Sequence, residues 1–112
     1  MRKTDFLYDP EGDFQCVEHY EGLFADLLQH AQIAGAEVHA EDTLDDDDQP
    51  IGFVITIRVD GRVFTFTSEN EAREWADVDF VWKSASELGR ALGFAVRQVE
   101  TNDQCAALRV SR

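Results

Sequence analysis

The segment IGFVITIRVDGRVFTFT, residues 51–67, carries the clearest structural signal in this chain of 112 residues. Apolar side chains occupy every second position through Ile55 and Ile57, and again through Phe64 and Phe66 after a break at Asp60-Gly61. An Asp-Gly pair between two alternating apolar runs predicts a β-hairpin with a two-residue turn. In that register Ile57 faces Phe64 and Ile55 faces Phe66, all on one face. We therefore expect this hairpin to form the centre of the core.

Two helices are predicted around the hairpin. Before it, apolar residues recur at three- and four-residue spacing and predict a long N-terminal helix over about residues 13–34, with Gly35 as its C-cap. After it, a capping box from Ser84 to Glu87 and a closing Gly93 predict a shorter helix over about residues 84–92.

The remaining segments complete an α+β pattern. A mobile acidic loop is expected at about 43–50, a short helix at about 69–76 from the Ser68–Glu71 capping box, and strands at about 37–42, 78–82, 94–100 and 105–110. Hairpin-linked strands between helices favour one α+β domain with a mostly antiparallel sheet of about four to six strands and both helices packed on it. The length suits a single domain.

Charge is distributed very unequally along the chain. The 54 residues from Thr4 to Ile57 contain 14 Asp or Glu and no Lys or Arg, whereas residues 58–112 contain 9 acids and 8 bases. The N-terminal half therefore supplies nearly all of the net charge of −13. Such a field repels nucleic acid and anionic membranes and attracts cationic partners.

Several classes of function find no support in the sequence. We find no signal peptide, no run of about 18 apolar residues for a membrane span, and no Walker, GxGxxG or GxSxG motif. The Asp45–Asp48 run lacks the spacing of a calcium loop, so neither a metal nor a cofactor is expected. Cys16 and Cys105 fit reduced thiols in a cytoplasmic protein, and a bridge between them stays open.

The sequence gives equally little support for catalytic residue pairs. Cys16 and His19 lie one helical turn apart, as do Asp26 and His30, but neither pair has an orienting third group or an oxyanion hole. We therefore expect a protein that is not an enzyme. One alternative is a small ligand-binding or enzymatic domain with a pocket between helix and sheet, holding His39 or Cys16. Another is a halophilic protein of unrelated function, whose acidity reflects high salt.

The interpretation that best explains the charge is a small acidic protein-binding module. It would be an inhibitor or immunity-type protein that covers a basic, nucleic-acid-binding site on a partner such as a toxin or nuclease. The chain resembles bacterial immunity proteins in size and charge alone. The predicted partner-binding residues are six carboxylates around the acidic run, two on the first helix and one aromatic anchor: Glu41, Asp42, Asp45, Asp46, Asp47, Asp48, Glu18, Asp26 and Trp75.

Overall fold

A computed structural model describes residues 5–10, 14, 16–73, 75–99 and 106–111. The elements in chain order are β1 (Asp5–Tyr8), α1 (Glu18–His30), β2 (Glu37–Leu44), β3 (Pro50–Val59), β4 (Arg62–Ser68), α2 (Val78–Leu92), β5 (Ala95–Val99) and β6 (Ala106–Ser111). The possible Cys16–Cys105 bridge involves a residue outside this description. The predicted helix start at about residue 13 is too early, because the described residues 14, 16 and 17 are not helical and α1 begins at Glu18.

The central hairpin is confirmed in position and register. Ile57 pairs with Phe64 and Ile55 with Phe66 across β3 and β4. Asp60 and Gly61 form the turn with φ values of 52° and 77°, the left-handed conformation that a two-residue hairpin turn requires. Ile55 and Ile57 are fully buried. Burial of each such side chain contributes about 1.5–3 kcal/mol to folding, so the hairpin is a centre of stability.

β2 completes a three-stranded antiparallel sheet with the order β2-β3-β4, which we call the hairpin sheet. The strand at 37–42 is confirmed and extends two residues further, to Leu44. Its Ala40 is buried opposite Ile55, whereas the residues after it are exposed. α1 lies against this strand, so β2 is covered over its first half only.

A second three-stranded antiparallel sheet has the order β1-β6-β5, and we call it the terminal sheet. Its first strand was not predicted. Phe6 of β1 is buried and pairs with buried Leu108 of β6. Asp9-Pro10 has the composition of a helix start, but the described residues place it directly after β1.

α1 ends earlier than expected, at His30 rather than about residue 34. The Ile33 N–H donates to the Leu28 carbonyl at 2.9 Å and the Gln32 N–H to the Gln29 carbonyl at 3.0 Å. Gln32 has a φ of 63°. This is the Schellman arrangement, with Gln32 at the position that glycine usually takes, so Gly35 is not the cap.

α2 begins six residues before the predicted shorter helix. Asp77 is its N-cap, because the carboxylate accepts the Phe80 N–H at 3.1 Å. The strand predicted at 78–82 is therefore wrong, and these residues form the start of α2. The predicted helix at 69–76 is also wrong: residues 69–73 and 75–77 are not helical. Ser68 instead accepts the Asn70 N–H in a local turn.

The α+β class with antiparallel strands is confirmed, with six strands divided between two sheets. One buried apolar cluster joins residues from both sheets and both helices, including Phe24, Ile55, Leu88 and Leu108. α2 contacts β5 closely and β4 only sparsely. That unequal contact leaves a trough beside β4.

Candidate acidic interface

The acidic loop between β2 and β3 is a compact hydrogen-bonded turn of residues 45–49. An Asp45 carboxylate oxygen accepts the Asp47 N–H at 2.8 Å and the Gln49 N–H at 3.0 Å. The Asp45 N–H donates to the Gln49 carbonyl at 2.9 Å, and Asp48 has a φ of 59°. Asp45 therefore holds the turn, which presents the exposed carboxylates of Asp46, Asp47 and Asp48 outward.

Cations do not neutralise these outward carboxylates within the described part of the chain. The ion pairs found there are those of His39 with Glu21 and Glu41, Lys83 with Asp79, and Arg109 with Asp5. None involves Asp46, Asp47 or Asp48. The field of the turn is thus directed to solvent, where it can act on another molecule.

The two predicted acidic residues of β2 point to opposite faces of the hairpin sheet. Glu41 is opposite Val54, and its carboxylate lies 3.6 Å from His39 Nε2. Asp42 is opposite Phe53, on the face that carries the core. Both are exposed. Asp42 therefore shares a face with the buried centre of the sheet but lies beyond the part that α1 covers.

Glu21, which the sequence did not single out, joins α1 to the edge of β2. Its carboxylate accepts the Ala40 N–H at 2.9 Å and lies 3.7 Å from His39 Nδ1. Because α1 connects directly to β2, the strand runs back along the helix, and its later residues lie toward the helix N-terminus. Glu18, one turn before Glu21, is thereby placed on the same side as the acidic turn.

Asp26 does not join this set. It follows Glu21 by five residues, which is a rotation of about 140° around an α-helix. Its exposed side chain is therefore on the other flank of α1. That flank also carries His30, whose ring lies 5.6 Å from the ring of Phe6 in β1.

Three large apolar side chains are exposed at the end of the hairpin sheet that carries the acidic turn. Leu44 is 50% exposed, Ile51 is 51% exposed and Trp75 is 54% exposed. Leu44 pairs with Pro50, next to Ile51. Trp75 lines a cavity of about 350 Å³ together with Phe53, two residues after Ile51. We call this surface the acidic end: it comprises Asp42, Leu44, Asp45, Asp46, Asp47, Asp48, Ile51 and Trp75.

The structure fixes the backbone beside Trp75 through Tyr20. The Asp77 N–H donates to the Tyr20 hydroxyl at 3.0 Å, and the Ala76 N–H donates to the Pro10 carbonyl at 2.6 Å. Burial raises the pKa of the Tyr20 phenol. The hydroxyl thus stays protonated over the ordinary pH range and holds the segment that presents the tryptophan.

Positive charge collects at the opposite end of the hairpin sheet. Arg58 and Arg62 flank the Asp60-Gly61 turn, and β3 spans ten residues, or roughly 30 Å, between this turn and the acidic one. Two further arginines, Arg97 and Arg109, lie in the terminal sheet. Arg109 forms a hydrogen-bonded ion pair with Asp5 at 2.9 Å.

His39 and Cys16 are the residues that the alternative interpretation places in a ligand pocket. Neither His39 nor Cys16 lines the cavity beside Trp75. The Cys16 thiol donates to the Glu18 carboxylate, and His19 lies against the ring of Phe14.

In the described part of the chain, no three His, Cys, Asp or Glu side chains are grouped as a metal site would require. No helix formed by those residues has the length and apolar character needed to cross a bilayer.

The sequence could not identify Leu44 and Ile51 as surface residues. Ile51 belongs to the same sequence alternation as buried Phe53 and Ile55, but the pairing of β2 with β3 shifts register between Thr43 and Leu44 and skips Ile51. Comparison with known proteins adds no assignment: no protein-family model, curated protein or solved structure matches this chain.

Proposed function

We propose that this protein is a binding module whose acidic end docks on a basic surface of another protein. The observation that carries the proposal is the combination of half-exposed Leu44, Ile51 and Trp75 with the outward carboxylates of the acidic turn. Affinity in protein interfaces comes chiefly from a few buried anchor residues, among which tryptophan is enriched, and the surrounding contacts exclude water from them. Charge around those anchors accelerates association and rejects partners of the same sign.

The partner that fits best is a protein whose cationic site binds nucleic acid, such as a nuclease or toxin. Carboxylates of the acidic turn would take the places of phosphates, and the cavity beside Trp75 would receive an apolar side chain of the partner. The module then acts as an inhibitor of immunity type, without an enzymatic activity, a metal or a cofactor of its own. We place this activity in the cytoplasm, with no direct contact to nucleic acid or membrane.

Two variants with equal net charge test this assignment. Asp46→Asn, Asp47→Asn and Asp48→Asn together remove three charges from the acidic turn and leave Asp45 to hold its backbone. The matched control, Asp26→Asn, Glu37→Gln and Asp60→Asn, removes three exposed charges elsewhere. Thermal unfolding of both variants verifies that the fold is retained.

The assay is affinity capture from the native lysate, followed by calorimetric titration of the purified partner. We expect the acidic-turn variant to weaken binding at least about tenfold, roughly 1.4 kcal/mol, while the control binds like wild type. Trp75→Ala should weaken binding by about 2 kcal/mol or more as an anchor residue. Equal weakening by the two charge variants would show that only total charge matters and would refute the assignment.

A further inference from the structure

The outer edge of β4 differs from the other edge of the hairpin sheet. In the order β2-β3-β4 both outer strands leave backbone groups without a strand partner on one side. On β2, the Glu21 carboxylate accepts the Ala40 N–H at 2.9 Å. On β4, no described strand or side chain satisfies the outward backbone groups in this way. Proteins usually protect such edges with charges, prolines or bulges, because a bare edge pairs with other chains.

The hairpin register identifies the outward groups. A two-residue turn is closed by a hydrogen-bonded pair, here Val59 and Arg62, and hydrogen-bonded pairs then alternate with other pairs. The backbone N–H and C=O groups of Val63, Thr65 and Thr67 therefore point away from β3. Their side chains are exposed, uncharged and β-branched. Such residues favour an extended partner.

α2 provides a floor beside this edge. Glu87 lines two cavities of about 490 Å³ each that run along β4, one toward Ser68 and the other toward Val63. With Lys83 and Arg90 it also lines a cavity of about 650 Å³ whose other side is Phe94 and the start of β5. We call this concavity the α2 trough: it is bounded by β4, by the Lys83, Glu87 and Arg90 stripe of α2, and by residues 94–96.

We propose that the α2 trough binds an extended peptide segment of another protein, which adds to β4 as an antiparallel strand. A single strand needs only the free edge and the floor beneath it, and main-chain hydrogen bonds supply its affinity. The site lies apart from the acidic turn, so this proposal goes beyond the proposed function and does not rest on it.

Charge along the trough determines which end of an antiparallel segment is cationic and which is anionic. Near Ser68 the lining includes Glu69, Asp77 and Asp79, and Lys83 there pairs with Asp79 at 2.9 Å. The opposite end has two cations, Arg90 and Arg62, and one acid, Glu87, so it is cationic on balance. The Arg62 guanidinium there donates to the Ala91 carbonyl at 3.1 Å. An antiparallel segment has its amino end near Ser68. The complementary segment is therefore cationic at its amino end and anionic at its carboxyl end.

The test uses a synthetic peptide of the same seven-residue length as β4. It has lysine at the amino end, aspartate at the carboxyl end and alternating valine and threonine between them; the control peptide has the two charged ends exchanged. We expect the first peptide to bind and the exchanged peptide to bind at least about tenfold more weakly. The exchanged peptide would place its aspartate beside the acidic residues and its lysine beside the arginines, and like charges repel. Equal binding of the two peptides would overturn the proposed direction and site.

Two variants separate the strand edge from its side chains. Thr65→Pro removes the outward N–H, at an edge position where proline leaves the β3 ladder intact. Thr65→Ala keeps that N–H. We expect about tenfold weaker binding to Thr65→Pro, for a lost hydrogen bond and the blocked approach, and nearly unchanged binding to Thr65→Ala. Undiminished binding to folded Thr65→Pro would refute strand addition.

Methylated peptides keep the test decisive if Thr65→Pro does not fold. N-methylation of the peptide amides that face β4 should abolish binding to the wild-type protein, whereas methylation of the alternate amides should not. Equal effects of the two methylation patterns would contradict strand addition. A further outcome is that the peptide-free protein sediments as a dimer, and that Thr65→Ala retains this dimer whereas Thr65→Pro loses it. That result would assign the edge to a second copy of the chain and overturn the proposal.

Discussion

Removal of the Tyr20 hydroxyl is the sharpest stability test of how the two helices are joined. Tyr20 is 1% exposed and packs against the rings of Phe14 and Phe53, at centroid distances of 5.0 and 4.6 Å. Its hydroxyl accepts the Asp77 N–H at 3.0 Å, at the N-cap of α2. Tyr20→Phe keeps the ring contacts and leaves this N–H without its acceptor.

The expected loss follows from that unsatisfied donor. Removing one partner of a partly buried hydrogen bond costs about 1–3 kcal/mol. For a domain of this length, with an unfolding entropy of about 2.1 cal/mol/K per residue, each kcal/mol lowers the melting temperature by about 4 °C. Urea unfolding followed by circular dichroism, together with a thermal scan, measures both quantities.

Tyr8→Phe is the matched control. Tyr8 is half-buried near the same core, and its hydroxyl forms no hydrogen bond with the described residues. We expect Tyr8→Phe to change stability by less than about 0.5 kcal/mol. If Tyr20→Phe is no more destabilising than Tyr8→Phe, the inferred link between Tyr20 and Asp77 is wrong.

The same residue predicts an alkaline dependence of stability. Burial raises the pKa of the Tyr20 phenol above its ordinary value of 10.0. Above pH 10 the unfolded chain releases this proton while the folded chain keeps it, so stability falls as the pH rises toward the folded pKa. Tyr20→Phe should therefore reduce the loss of stability between neutral and alkaline pH, and an unchanged pH profile would count against burial of the phenol.

Three further predictions concern the core, α2 and the terminal sheet. Ile55→Asp places an unpaired charge at a fully buried position and should unfold the domain at a cost above about 4 kcal/mol; cooperative unfolding of a soluble variant would refute this. Ser86→Ala removes a buried hydroxyl that has no hydrogen-bond partner among the described residues, so urea unfolding should show a gain of about 1 kcal/mol rather than a loss. The hydrogen bond from Arg109 lowers the pKa of Asp5, and the stability from that pair is present above pH 3.8 and lost as the pH falls through the lowered pKa. The stability difference between wild type and Arg109→Gln should accordingly shrink in acid, and a difference that persists there would contradict the pairing.

The elements that local signals determine were predictable. The hairpin follows from alternation and an Asp-Gly turn, and both signals lie within residues 51–67. α1 follows from its apolar stripe. Its early end could not be predicted, because Gln32 takes a positive φ that is far commoner for glycine, and Gly35 stands only three residues later.

The elements that depend on distant contacts were not predictable. β1 gains its stability by pairing with β6, about one hundred residues later in the chain. Its four residues are too few to give a sequence pattern that predicts a strand. At the start of α2, the alternation of Val78, Phe80 and Trp82 resembles a strand. The deciding signal was Asp77, whose side chain accepts the Phe80 N–H and so starts the helix.

The candidate site shows the same division. Residues of the acidic turn could be selected by composition, because a run of four aspartates on a folded chain is exposed. The exclusion of Asp26 could not be predicted, since it depends on which flank of α1 faces β2. The exposure of Leu44 and Ile51 could not be predicted either, since both lie at the register shift between β2 and β3, which has no sequence pattern. Glu21 was missed because a carboxylate that accepts a backbone N–H from another element has no sequence pattern.

The most direct measurement of the central claim is the association rate of the captured partner as a function of ionic strength. From about 0.01 M to about 0.1 M salt the screening length falls from about 30 Å to about 10 Å. If Asp46, Asp47 and Asp48 steer a cationic partner, the wild-type rate should fall steeply over this range. The acidic-turn variant should start slower and show a shallower slope than the charge-matched control. Identical slopes for the two variants, or a wild-type rate that does not respond to salt, would contradict the claim.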